Sequence, residues 1–151
     1  MMKTEHQRSF YKILIPVDGS ANALRAVEYV IKNTATLKER PQLLLLNVQW
    51  NVAAGNVKLF INQQTIDDYY REQGIAALQA ARTALDAAAL PYQYHISVGT
   101  PAEAIAQYAH EQDVDQIVMG RQGQGGLQAL LLGSVVNKVL HLANCPVLLI
   151  K

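Results

Sequence analysis

Between Met119 and Ser134 the chain reads Met119-Gly120-Arg121-Gln122-Gly123-Gln124-Gly125-Gly126, then an apolar stretch from Leu127 to Leu132, then Gly133-Ser134. Glycines lack Cβ and accept positive φ, so a run of them lets several backbone N–H groups converge at close range. Where such a run follows a strand and a helix starts at its far end, the free amides and positive dipole end of that helix complete an anion-binding cradle. Ser134 adds a hydroxyl donor. The same residues also describe a surface loop turned by its glycines, with Ser134 as a plain N-cap.

A second cluster, Pro16-Val17-Asp18-Gly19-Ser20, stands where a first strand gives way to a first helix. In open α/β sheets ligands bind beyond the carboxyl ends of the strands, at the point where strand order reverses. With the order 3-2-1-4-5, Asp18 and Gly120 face each other across that crevice. There Asp18 can accept from a sugar hydroxyl or help hold a divalent cation beside phosphates. As a turn or cap residue, an Asp in Asp-Gly-Ser is at least as ordinary.

No constellation for covalent or acid–base catalysis accompanies these clusters. His6, His95, His110 and His141 are scattered and none has i, i+4 metal spacing to another ligand, so each is expected to be a surface or cap histidine. Cys145, before Pro146, reads as a small buried residue rather than a nucleophile. Asp113 and Asp115 precede a strand at the sheet end opposite the crevice and are expected to be solvated loop charges. Asp67 and Asp68 read as first-turn helix acids. The glycine segment is not a Walker loop, because no Lys-Ser/Thr pair follows its last glycine and Lys138 comes too late. A His-x-Gly-His element is also absent.

The elements that must position these residues follow from hydrophobic spacing. Short β-type runs alternate with segments of helical period, which predicts a parallel sheet covered on both faces. The strands are expected at Lys12 to Val17, Leu43 to Val48, Tyr92 to Val98, Gln116 to Met119 and Val147 to Ile150. A first helix starts after Ser20 and carries Leu24, Val27, Val30 and Ile31 on one face. A loop from Asn51 to Asn62 leads to a long helix, roughly Gln64 to Ala89, faced by Leu78, Ala81, Leu85 and Ala88. Thr100-Pro101-Ala102-Glu103 predicts a capping box and a helix to about Gln112. Ser134 opens the last helix, with Val135, Val139 and Leu142 as its stripe and its end at Asn144 before Pro146.

In the third strand Tyr92, Tyr94, Ile96 and Val98 alternate with Gln93, His95 and Ser97, which suits a sheet edge with one wet face. The fifth, Val147-Leu-Leu-Ile150, is apolar on both faces yet is the opposite edge. A strand of that kind is expected to pair with a second copy, giving a homodimer through residues 147–150. Residues 1–10 read as a loose tail and 11–151 as one domain. The 151 residues, 50% apolar and 17% charged with a formal net charge of +1, give no electrostatic case for nucleic acid or an anionic membrane. With one cysteine, no zinc spacing, no signal peptide and no apolar run near the roughly 20 residues of a membrane helix, a cytoplasmic protein is expected.

The spacing glycine, two residues, glycine, nine residues, glycine, serine, met by Gly120, Gly123, Gly133 and Ser134, resembles the ATP-binding signature of the universal stress protein family. The resemblance extends to Lys12-Ile-Leu-Ile-Pro-Val-Asp18, Gly99-Thr-Pro-Ala-Glu-Ala-Ile105, Ile117-Val-Met-Gly120, Leu131-Leu-Gly-Ser134 and Cys145-Pro-Val-Leu-Leu149. It covers the chain from Lys12 to Lys151. It implies a Rossmann-like α/β domain with a five-stranded parallel sheet in the order 3-2-1-4-5 and four helices on both faces. It further implies a homodimer and, in one branch of the family, bound ATP, or AMP or ADP, with Mg2+ or Mn2+. Pro16, Val17 and Asp18 then line the pocket, with Asp18 near ribose and metal. Val48 meets adenine through its backbone. Met119 belongs to the same site, Gly120 abuts ribose and phosphates, and Gly123, Gly133, Ser134 and Val135 bind the phosphates. Two departures stand out. Arg121-Gln122 replaces the usual Ser-His, so that Arg121 adds a phosphate contact, and Asn47 stands where His is usual before Val48. The resulting reading is a nucleotide-dependent regulatory protein with at most slow hydrolysis. The alternatives are a nucleotide-free dimeric interaction module and an enzyme acting on adenine nucleotides.

Overall fold

The computed structural model describes residues 10–51, 61–123 and 131–151. Within them lie strands β1 (Lys12–Pro16), β2 (Gln42–Gln49), β3 (Tyr92–Val98), β4 (Gln116–Gly120) and β5 (Val147–Ile150). Helices α1 (Ala21–Thr34), α2 (Gln63–Ala87), α3 (Pro101–Glu111) and α4 (Ser134–Leu142) alternate with them. All neighbouring strands are parallel, in the order β3-β2-β1-β4-β5 expected from the sequence. The expected tail falls outside the described residues except for Phe10, which is exposed. No helix among the described residues is long and apolar enough to cross a membrane.

The alternation of side chains along each strand splits the core in two. Ile13, Ile15, Leu43, Leu45 and Val118 pack with Val27 and Val30 of α1 and Leu78 and Leu85 of α2. Leu14, Leu44, Leu46, Ile117 and Met119 face the other way, onto Ile105 and Ala109 of α3 and Val136 and Val139 of α4. Because β1 is central, Leu14 and Ile15 are both fully buried although they point to opposite faces. The first-helix face is shifted from the expected one: Ala23, Ala26, Val27, Val30 and Thr34 are buried, while Leu24 is half-buried. Strand β3 is an edge as expected, and Gln93 and His95 are exposed, but Tyr94 and Val98 of the face expected to be apolar are exposed too, so burial does not follow the expected alternation.

Helix ends supply the corrections. Ser20 caps α1, its Oγ accepting from the Ala23 N–H at 3.1 Å. Thr100 occupies the N-cap of α3, but its side chain makes no capping hydrogen bond. The expected capping box is not formed because Glu103 pairs instead with Lys138 of α4. The N-cap of α4 is Gly133, which moves Ser134 to the first helical position, and α4 ends at Leu142 rather than Asn144. Helix α2 stops at Ala87, and Ala89 takes the left-handed conformation (φ 52°). The Ala89 N–H then donates to Asp86 O and the Leu90 N–H to Leu85 O, satisfying the last carbonyls. Asp113 (φ 52°) ends α3 in the same way. Asp115 accepts from the Lys12 N–H at 2.8 Å and ties the starts of β1 and β4 together. The Asp115 carboxylate is therefore structural rather than a solvated loop charge, whereas Asp113 is exposed and shapes the turn through its backbone.

Candidate functional site

The strand order reverses at β1, whose neighbours β2 and β4 lead to helices on opposite faces of the sheet. This leaves a crevice at the strands' carboxyl ends. A cavity of about 490 Å3 opens there. Its wall includes Pro16, Val17 and Asp18 after β1, Val48 on β2, Met119 and Gly120 on β4, Gly123 beyond it, and Gly133, Ser134 and Val135 at the start of α4. Arg121 is not among the lining residues; its backbone N–H donates to Ile150 O at 2.9 Å and extends the β4–β5 ladder. Gln124, Gly125 and Gly126 lie outside the described residues.

Each part is placed by a local cause. Gly19 has φ 84°, a left-handed turn that lets Asp18 fold back so that its Oδ1 accepts from the Ser20 N–H at 2.9 Å. Asp18 thus does act as a turn residue, with one carboxylate oxygen occupied in that role. The other faces the glycine segment: a Cβ built on Gly123 would stand 2.5 Å from Asp18 Oδ2. Strand β4 ends against the first turn of α1, where a Cβ on Gly120 would stand 2.7 Å from the Asn22 carbonyl. The Gly133 N–H donates to Arg121 O at 3.1 Å and closes the segment's two ends on each other. With no side chain capping α4, its first-turn amides at Ser134 and Val135 line the cavity.

The arrangement can hold an anion at the glycine end with a carboxylate beside it. Among the described residues no group of three or more His, Cys, Asp or Glu side chains could hold a metal. A cation at Asp18 would therefore draw its remaining ligands from a bound molecule and water, as Mg2+ does beside phosphates. Burial pushes the Cys145 thiol up from its ordinary value, which disfavours the nucleophilic thiolate. His95 stacks on Tyr108, and His110 Nδ1 lies 2.9 Å from Asn144 Nδ2, both away from the cavity; His6 is outside the described residues.

Several wall residues were not singled out from sequence as ligand contacts. Asn47 is 1% exposed, with Nδ2 donating to Val17 O at 2.8 Å and Oδ1 accepting from Gln49 Nε2 at 2.7 Å. The available signal was a polar side chain inside an otherwise leucine-rich buried strand. Trp50, just past β2, and Tyr69 and Tyr70, in the early turns of α2, complete that end of the wall.

The universal stress protein family model matches residues 9–151. The chain belongs to the universal stress protein family. A universal stress protein of Methanocaldococcus jannaschii is 31% identical over 142 residues, covering 94% of this chain and 82% of that one. Universal stress protein YxiE of Bacillus subtilis is 30% identical over 152 residues, covering 94% and 99%. The solved structure of a second Methanocaldococcus jannaschii member superposes with a TM-score of 0.79 at 29% identity, covering 94% and 96%. Solved family structures of similar fold include complexes with cAMP, with dAMP (Archaeoglobus fulgidus) and with AMP (Arabidopsis thaliana), at TM-scores of 0.64, 0.64 and 0.65 and 23%, 21% and 21% identity. These cover 94%, 94% and 93% of this chain and 97%, 98% and 91% of theirs.

Proposed function

We propose that this universal stress protein binds ATP, or AMP or ADP, in the crevice between β1 and β4 and acts as a nucleotide-dependent regulator in the cytoplasmic stress response. The observation that carries the reading is the meeting of Asp18 with Gly123 at the mouth of a cavity whose far wall is the uncapped start of α4. Phosphates need convergent N–H donors, and Gly123, Gly133, Ser134 and Val135 supply backbone there. Asp18 is the carboxylate for ribose or for Mg2+ or Mn2+. Family members holding AMP, dAMP and cAMP support an adenine nucleotide as the ligand class.

Hydrolysis is slow or absent in this reading. Positioning phosphates is not enough; attack on the γ-phosphoryl needs a group that orients water and a cation that neutralises developing charge. Among the described wall residues Asp18 is the carboxylate, and no Lys, Arg or His joins it. Turnover at about one per second or faster would contradict this. The functional unit is a homodimer joined through β5, with no role for nucleic acid or membrane.

The test uses freshly purified full-length chain, denatured and read by mass spectrometry. Adenine nucleotide is expected to be released from wild type and lost from Gly123→Val combined with Ser134→Ala. In that variant the valine displaces the Asp18 carboxylate and the hydroxyl donor is gone. Equal nucleotide binding by the folded variant and wild type would overturn the assignment.

A further inference from the structure

We propose that at the β2 end of the crevice, where the family resemblance implies adenine beside Val48, Gln49, oriented by Asn47, selects adenine over guanine. This rests on the nucleotide reading above and deepens it. The crevice is chemically polarised: glycines and helix amides form one end, and Gln49, Trp50, Tyr69 and Tyr70 the other. Trp50 is 60% and Tyr69 50% exposed, apolar ring surface that a planar base would cover.

The selectivity comes from a relay of fixed direction. The Val17 carbonyl can only accept, so the Asn47 group 2.8 Å from it is the NH2 end of that amide. Asn47 Oδ1 must then face Gln49, and Gln49 must donate to it through Nε2, at 2.7 Å. The backbone carbonyl thus removes the ambiguity that amide side chains usually carry. Gln49 is left with Oε1 and a second N–H, and Oε1 has no protein partner among the described residues. An acceptor beside a donor matches the edge of adenine, where the N6 amino group donates next to a ring nitrogen that accepts. Guanine presents O6, an acceptor, in place of N6. Rotating the Gln49 amide to suit it would set Oε1 against Asn47 Oδ1, two acceptors with no proton between them. With sugar and phosphates held at the glycine end, the base cannot turn over instead.

Nucleotide-stripped full-length protein is titrated with ATP, GTP and tripolyphosphate by calorimetry and by the emission of Trp50, the one tryptophan of the chain. ATP is expected to bind about tenfold or more tighter than GTP, the worth of one discriminating hydrogen bond. ATP changes Trp50 emission, and tripolyphosphate does not. Gln49→Leu brings the two affinities within about threefold, mainly by weakening ATP. Asn47→Thr narrows the same ratio, whereas an asparagine that merely holds the strand would weaken ATP and GTP alike. Equal wild-type affinities for ATP and GTP, or a ratio that Gln49→Leu leaves unchanged, overturns base selection while the nucleotide site stands. Binding of neither nucleotide to folded protein removes the nucleotide reading and this inference with it.

Discussion

Gly120 and Gly123 are both small for reasons of space, but the neighbours that exclude a side chain differ. At Gly120 the obstacle is the Asn22 backbone at 2.7 Å, which cannot rotate away; at Gly123 it is Asp18 Oδ2, the end of an exposed side chain that can move. Gly120→Ala is therefore expected to destabilise the fold by about 1–3 kcal/mol, as overpacking does. A lowered urea midpoint at unchanged m-value checks it. Gly123→Val should leave that midpoint nearly unchanged while moving the carboxylate, which is why the ligand test uses it. This distinction was not legible in the sequence. The spacing of Gly120, Gly123, Gly133 and Ser134 marked the segment, whereas what Gly120 and Gly123 abut, Asn22 and Asp18, lies more than 90 residues away in the chain. Asn47 was equally opaque: an amide inside a leucine run signals a special environment, but its partner Val17 lies on another strand.

At the scale of elements, strands were easier to read than helix ends. Buried parallel strands announce themselves as apolar runs bounded by turns, and all five lie within two residues of their expected limits. Helix ends depend on competition between partners. Glu103 had the spacing for a capping box, but Lys138 on α4 takes its carboxylate and holds Glu103 below the ordinary glutamate value. A lowered folded value means that the pair's stabilisation is present above the unfolded glutamate value and is lost as pH falls through the folded one. Glu103→Gln is expected to lower the melting temperature slightly at pH 7 and low salt, by less at high salt, with the difference shrinking as pH falls through the carboxylate range. Ala89 offers the opposite case. Its left-handed φ of 52° closes α2 in a conformation that glycine adopts without steric cost. Ala89→Gly is expected to stabilise the chain by about 0.5–1 kcal/mol despite its greater unfolded-state entropy, measurable as a raised urea midpoint.

For the molecule as a whole, the order β3-β2-β1-β4-β5 makes β5 a free edge of the sheet in the single chain. The Ile117 N–H donates to Pro146 O and the Arg121 N–H to Ile150 O, so the even-numbered residues face β4 and the backbone groups of Val147 and Leu149 point outward. Leu149→Pro removes an outward donor while sparing the β4–β5 ladder. If the proposed homodimer forms through this strand, the variant should sediment as a monomer at concentrations where wild type is dimeric; an unchanged dimer would place the contact elsewhere. Strand order was legible through the family resemblance rather than from the strands alone, since an apolar run such as β5 reads by itself as an inner strand. Which residues close the β2 end of the crevice was not, since Trp50 and Tyr69 come to line one cavity only after β2 and α2 pack together. Calorimetric titration of nucleotide-stripped wild-type protein with MgATP tests the nucleotide site most directly. Saturable binding at one site per chain is expected, with a dissociation constant below about 1 mM, or more than about 4 kcal/mol of binding free energy. Folded protein that takes up no nucleotide at millimolar concentration would contradict it.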